Sequence, residues 1–541
     1  MFTWEDATRH SRIACPAGNW RSELVGQAID EVVKRAPKLL SRKRLGESVE
    51  GRPIELVTLG SGPERILAWS QMHGDEPTHT TVLLNLLNFI AAEPEHSAVK
   101  AMLTGCTLGL VILLNPDGAL RTSRFNAWGI DLNRDARRLV CPESRILRDV
   151  VKSFAPQYGF NLHNQNHRTT VASQRTPASV ALLVPPRDAE NSDSPSVKRA
   201  AQVAATFLAH VAPHCDGRVS RYDADYMPTA FGEWVQTQGV STVLVEVGGA
   251  PKFDFAWLDR LHLFGMVNTW AAIGAQQIAT VDPAPYYALR RSSGLRLYDL
   301  FIHDAKLYAD GPTVDFGVNF PGFTAAGAVR RQGIVEELGD LVGVGGVEEL
   351  EANGAVVTPG LAAFVPELSQ LNVNDEKLLA PLISAGVTSV IGLVDLNHRE
   401  QVASLLKRAG TPTLNTGFAA VWPAMPDDRM DPREFALLVS RLGVLLIVTD
   451  DPRSVAGTPI EQLGLPIIAP TAGQPLPDHP TARLFTPELL ALPGRGHITR
   501  GGVADLVLTA ANGERTVLIG GRRIDPNEPC GAWLTNRRKI F

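Results

Sequence analysis

The stretch Trp69–Ile90, WSQMHGDEPTHTTVLLNLLNFI, decides how the first half of the chain is read. The apolar, strand-like run RILAWSQM (65–72) ends at the polar break HGDEP, and an apolar segment of helical length follows. Proline is tolerated in the first turn of a helix, so the helix is expected to begin at Pro77. His73 and Glu76 then fall in the loop between strand and helix, where reactive groups are commonly carried by a rigid scaffold.

Outward from this stretch the same alternation repeats. TLGLVILLNP, YGFNLHN and STVLVEVGG read as strands, and RILRDVVKSFA, VKRAAQVAATFLAHVA and FAWLDRLHLFGMVNTWAAIGAQQIA read as helices. Such alternation predicts an α/β fold with a largely parallel, buried central sheet flanked by helices. A chain of 541 residues exceeds the roughly 250–300 that one core supports, so two domains are expected. Prolines and small polar residues in TVDPAPYYALRRSSG (280–294) put the boundary near Pro285, giving domains 1–285 and 286–541.

A net charge of −5 argues against a nucleic-acid partner, and the basic run KRAPKLLSRKR (34–44) reads as a solvated surface. The N-terminal residues lack a secretory pattern, and no run approaches the roughly 20 apolar residues that span a membrane. Five scattered cysteines fit reduced thiols. The expected setting is therefore the cytoplasm, with no membrane partner.

Polar residues follow several strand-like runs: His73 and Glu76 after the first, His163 at the end of YGFNLH, and Glu246 within TVLVEVGG. Taken singly, each has a plain structural reading, as a capping histidine, a satisfied core histidine or an ion-paired carboxylate. In a parallel sheet, however, loops at the carboxyl ends of the strands share one crevice. Two imidazoles and one carboxylate meeting there suit zinc with a fourth position open. A carboxylate inside an apolar strand is costly unless it has a cation, a metal or a proton to handle.

These residues sit in motifs that follow one another in a familiar order: GESVEGRPIELVTLG (46–60), MHGDE (72–76), NPDG (115–118), TSRFNAWGIDLNRD (122–135), NLHNQ (161–165) and TVLVEVGG (242–249). Together they resemble the zinc metallocarboxypeptidases of the carboxypeptidase A-like class, in their short bacterial form. The resemblance implies a mixed sheet of about eight strands with the site at its strand ends, and one zinc per chain held by His73, Glu76 and His163. It also implies that Glu246 is the general base, that Arg124 polarises the scissile carbonyl, and that Asn133 and Arg134 grip the free carboxylate of the substrate. The mobile tyrosine of the family corresponds to Tyr226, with Tyr222 equally available. Asp75 departs from the pancreatic members, which carry an arginine before the ligand glutamate.

The second half reads differently. DLFIHDAKLYADG (299–311), GAVVTPGLAAF (354–364) and GRGHITRGGVADLVLTAANGERTVLIGGRRI (494–524) resemble the small β-sandwich of the amidohydrolase superfamily. That resemblance implies a sandwich from about 299–362 and 493–541 around an α/β segment of about 363–492. Val365 and Glu367 stand where the superfamily places a metal-binding His-x-His, and the enclosed segment is shorter than the roughly 200 residues a full barrel needs. A degenerate domain without metal is expected.

The leading functional expectation is a zinc-dependent hydrolase that removes a C-terminal residue from a peptide or peptide-like amide. An N-acyl amino acid deacylase is the alternative, because such a substrate also carries a free carboxylate. A non-catalytic peptide-binding protein is the third. A homo-oligomer is compatible with all three.

Overall fold

Alternation of side chains along β-strands sorts the apolar residues of the first half onto two faces of one sheet. Along β3 (Glu64–Ser70), Ile66 and Ala68 enter one buried cluster while Leu67 and Trp69 enter another on the opposite face. The computed structural model describes residues 1–16, 19–222, 225–295, 297–320 and 333–359. Beyond these it describes 361–364, 382, 387–394, 415–421, 431–442, 446–463, 467–468, 474–476, 479–485, 505–512, 515–519 and 522–523.

The remaining strands of the first half are β1 (Leu40–Glu47), β2 (Pro53–Leu59), β4 (Cys106–Val111), β5 (Tyr158–Asn164), β6 (Thr169–Val171), β7 (Val180–Leu183), β8 (Val219–Arg221) and β9 (Ser241–Val247). Eight of the nine form one sheet in the order β1-β2-β4-β3-β5-β9-β7-β8. Neighbours among β4, β3, β5 and β9 run parallel, whereas β1 with β2, β2 with β4 and β7 with β9 run antiparallel. The sheet is therefore mixed with a parallel centre, and the carboxyl ends of β3, β5 and β9 lie side by side.

Helices cover both faces. α1 (Trp4–His10), α2 (Ser22–Arg35), α3 (Thr78–Ala92), α4 (Ser97–Gly105), α7 (Pro195–Val211) and α9 (Phe255–Gly274) supply the first cluster. α6 (Pro142–Phe154) and α8 (Phe231–Thr237) supply the second, and the short α5 (Pro116–Arg121) follows β4. α3 is buried along nearly its whole length, which accounts for its apolar character on all sides. Its first helical residue is Thr78, with Pro77 as the N-cap residue. The basic run is a solvated, ion-paired surface: Arg42 lies 2.7 Å from Asp30 and 2.6 Å from Glu55, and Lys34 lies 2.5 Å from Glu31.

The chain stays with this unit past Pro285, because Ser292–Leu295 pairs antiparallel with β6. Contacts divide the chain into two compact units, the first built on Met1–Tyr298 and the second starting at Asp299. In the later part, one sheet takes strands from 297–359 and from 506–523, with Val356 pairing with Thr509. Another carries the parallel strands Leu361–Phe364, Val387–Val394, Asn415–Val421, Leu446–Val448 and Ile467–Ile468, flanked by His479–Phe485 antiparallel to the first. Val365, Glu367, His398, His497 and Cys530 lie outside the described residues. Among the described residues, no helix is long and apolar enough to cross a membrane.

Phe160, on β5 and fully buried, meets Trp270 of α9 edge to face at 5.4 Å. Phe160→Ala is expected to destabilise the first unit by about 3–5 kcal/mol, because it leaves a cavity between sheet and helix. Urea unfolding followed by tryptophan fluorescence measures the change.

Candidate metal centre and active site

The loop after β3 is fastened from three sides before it presents any ligand. Gln71 takes a left-handed backbone conformation (φ 51°), and its carbonyl accepts the Asn115 N–H at 3.1 Å. Asn115 Nδ2 donates to the Met72 carbonyl at 3.1 Å, which gives the NPDG motif its local role. The Gly74 carbonyl accepts from Gln71 Nε2 at 2.9 Å and from Asn19 Nδ2 at 2.7 Å. Asn19 Oδ1 in turn accepts from Gln71 Nε2 at 3.0 Å. Position 74 must be glycine, since a Cβ there would lie 2.0 Å from the Gly118 carbonyl carbon.

Held in this way, His73 and Glu76 meet His163 from the end of β5. The His73 Nδ1 atom is 2.8 Å from Glu76 Oε1, His163 Nδ1 is 2.8 Å from Glu76 Oε2, and the two Nδ1 atoms are 3.2 Å apart. All three residues are buried, and they form the one potential metal-holding cluster among the described residues. Two imidazole nitrogens and a carboxylate aimed at one point are a donor set suited to zinc. His73 Nε2 lies 3.0 Å from Asp131 Oδ1. That pairing assigns the Nε2 proton to Asp131 and leaves the Nδ1 lone pair for the shared point.

The electrostatics favour positive charge at the same place. Burial works against a charged His73, but the Glu76 charge and the hydrogen bonds with Asp131 and Glu76 outweigh it and hold the imidazole up at about 9. Burial also opposes the ionised forms of Glu76 and Asp131, yet their histidine partners hold both carboxyls well below the usual range. Glu246 shows the converse. It lies on β9 directly in register with His163, and burial together with the Glu76 charge pushes its carboxyl up. Glu246 Oε2 is buried without a hydrogen-bond partner.

The arginines separate by their contacts. Arg124 Nε donates to Asp131 Oδ2 at 3.0 Å and Nη1 reaches Glu76 Oε1 at 3.5 Å, so its guanidinium stands at the rim of the cluster while staying partly exposed. Arg121 is tied to Glu50 and to the Asp117 carbonyl instead. Asn133 Oδ1 accepts the Phe231 N–H at 2.9 Å, binding the 3-10 turn Leu132–Arg134 to the start of α8. Arg134 is exposed beside it, with Nη1 on the Asn133 carbonyl at 2.7 Å. Of the two tyrosines, Tyr222 has a phenol raised first by burial and then by the Glu246 charge, with Arg124 and Arg134 opposing. Tyr226 lies four residues on, half-buried.

Two positions carry weight here that the reading of the sequence did not single out. Asp131 stands inside the motif IDLNRD, where an aspartate two residues before the Asn-Arg pair was a visible signal. Asn19 precedes every recognisable motif, and only the fold brings it to the metal loop.

Residues 25–239 match the family model for zinc carboxypeptidases. The match takes in His73, Glu76, Arg124, Asn133, Arg134 and His163, and stops before Glu246. Carboxypeptidase SOL1 of Arabidopsis thaliana is 32% identical over 142 residues, which are 25% of this chain and 28% of that protein. Carboxypeptidase E of Caenorhabditis elegans is 27% identical over 128 residues, 20% of this chain and 27% of that protein. The chain thus spans little more than a quarter of the length of these curated relatives. A metallo-carboxypeptidase structure from Burkholderia cenocepacia aligns over 46% of this chain and 69% of its own, at 18% identity and a TM-score of 0.38.

Asp131→Asn keeps the shape of the His73 partner and removes its charge. Zinc affinity, measured by competition with a chromophoric chelator, is expected to fall about 10–100-fold. Unchanged affinity would exclude Asp131 from orienting the ligand.

Proposed function

We propose that the protein is a zinc-dependent hydrolase that releases the C-terminal residue of a peptide or peptide-like amide. The observation that carries this reading is the convergence of His73, Glu76 and His163 with Glu246 in register on the adjoining strand. One zinc per chain would be held by His73, Glu76 and His163. When bound, zinc supplies a Lewis acid that polarises a carbonyl and makes water a better nucleophile near neutral pH.

The chain's own residues divide the remaining work. Glu246, half-buried and with an enclosed Oε2 that has no partner, takes a proton from the attacking water and delivers it to the departing amine. Its carboxyl is raised by burial and by Glu76, and a cation at the shared point would bring it back toward the ionised form that a base needs. Arg124 stands where negative charge develops on the carbonyl oxygen. Arg134, exposed beside Asn133, offers a planar fork to the substrate's free carboxylate. Tyr226, or Tyr222 four residues before it, would close over the substrate.

The same carboxylate grip would serve an N-acyl amino acid, so the released product separates peptidase from deacylase. The four described cysteines are free, in keeping with the reducing, cytoplasmic setting proposed for the chain. The later part of the chain is read as a degenerate amidohydrolase-like domain that acts through packing, access or assembly, including a homo-oligomer.

Glu246→Gln is expected to retain one zinc per chain and lose at least about 10²-fold in kcat, because a base serves the chemical step without holding the metal. His163→Ala is expected to lose both. Metal analysis and release of a single residue from blocked peptides check the pair, and zinc loss in Glu246→Gln would make that residue a ligand instead. Alanine at His398, Asp450 or His479 is expected to leave zinc content and turnover unchanged.

A further inference from the structure

Arg124 and Asp131, whose side chains pair at 3.0 Å, are the two feet of one loop, and the chain between them is firmly built. Asn126 organises it. Its side chain is buried, and its Oδ1 accepts the N–H groups of Trp128 and Ile130, each at 3.1 Å. The Asn126 N–H donates to the Ile130 carbonyl at 3.0 Å, and the Gly129 N–H donates to the Asn126 carbonyl at 2.9 Å. Gly129 closes the turn in the left-handed region, at φ 74°. The inner face of the loop is thereby anchored, while Phe125 and Trp128 stand in solvent, 45% and 55% exposed.

Single apolar side chains in solvent are ordinary, whereas a concentration of them marks a surface that binds something. Of the ten exposed large apolar side chains among the described residues, six come from two short segments. Leu120, Phe125, Trp128 and Val140 belong to one, Tyr222 and Met227 to the other. The two segments are joined, because the Ala136 N–H donates to the Thr229 carbonyl at 3.0 Å and the Phe231 N–H donates to Asn133. The first of them also carries Arg124, Asn133 and Arg134, the proposed contacts for the scissile carbonyl and the free carboxylate.

The order of these contacts decides which part of a substrate meets the rings. The released residue is a single amino acid, and on the side of its carboxylate the wall is closed by the buried Asn133, Phe231 and Glu233. The acyl part continues past the scissile carbonyl at Arg124 and has to run outward into solvent. Phe125 follows Arg124 directly, and Trp128 lies in the turn of the same loop. Both rings are open to solvent, so a substrate reaches them without any rearrangement.

We infer that Phe125 and Trp128 form a platform for an apolar group on the acyl side of the scissile amide. The side chain of one of the two residues before the last supplies that group. The loop is already ordered, so little freedom is lost when the rings are covered. Two uncharged rings reward the burial of apolar surface and offer a small polar side chain almost nothing.

The inference rests on the carboxypeptidase reading, and the test separates the two. Zinc-loaded protein is given acetylated tripeptides that end in Leu and carry Phe or Ser at each of the two preceding positions. The kcat/KM with Phe is expected to exceed that with Ser by about tenfold, chiefly through KM. Trp128→Ala is expected to retain zinc and to shrink that preference to about twofold or less, whereas Trp128→Phe keeps most of it. In a second series only the last residue varies, and its rank order is expected to be the same in Trp128→Ala as in the parent protein. Equal rates for Phe and Ser in the parent protein, or an altered rank order for the last residue in the variant, would overturn the inference. So would a dimer that light scattering finds lost in Trp128→Ala with the Phe preference intact, since the rings would then join two copies of the chain. If no peptide is cleaved, the parent reading fails, and calorimetry with the same peptides decides. Tighter binding of the Phe peptide that disappears in Trp128→Ala sustains the platform, and equal affinities overturn it. Cleavage of N-dodecanoyl-leucine that depends on Trp128 would also sustain it, with a fatty acyl chain as the source of the apolar group.

Discussion

Two carboxylates, Glu76 and Glu246, are brought close together at the strand ends of a buried sheet, and the rest of the site answers that constraint. Neither could stay ionised there alone, because burial and mutual repulsion both favour the neutral acid. Glu76 escapes through two histidines at 2.8 Å, one of them supported from behind by Asp131. Glu246 has no such partner. The result is an asymmetric pair, one carboxylate committed to holding positive charge and one left with proton affinity to spend. Chemistry that needs a ligand and a base requires this division, and the parallel register of β5 and β9 fixes it in the backbone.

The residues legible in the sequence are those that break an apolar pattern. His73 and Glu76 end a strand, His163 ends another, and Glu246 interrupts TVLVEVGG, so each stands out against its neighbours in the chain. The parallel centre of the sheet followed from the same runs. Asn19 was not legible, since its partner Gly74 is 55 residues away and is reached through a backbone carbonyl that no side-chain pattern records.

The boundary between the halves illustrates a similar limit. Prolines and small polar residues around Pro285 mark a change of texture, but a strand at Ser292–Leu295 still pairs with β6, because unsatisfied backbone groups at a sheet edge gain from any available partner. Composition reports where regular structure pauses. Hydrogen bonding decides where a compact unit closes.

The Asn19 contact bears on where this chain can be cut. The family match opens at residue 25, and a minimal catalytic fragment drawn from that match alone would discard the amide that caps the Gly74 carbonyl. It would also discard Trp20, whose Nε1 donates to Thr81 Oγ1 on α3 at 2.9 Å. Such a fragment would keep every metal ligand and still present them on a loosened loop. The compact unit that carries the site is thus longer than the region that the family model matches, and its amino-terminal edge belongs to the scaffold of the site.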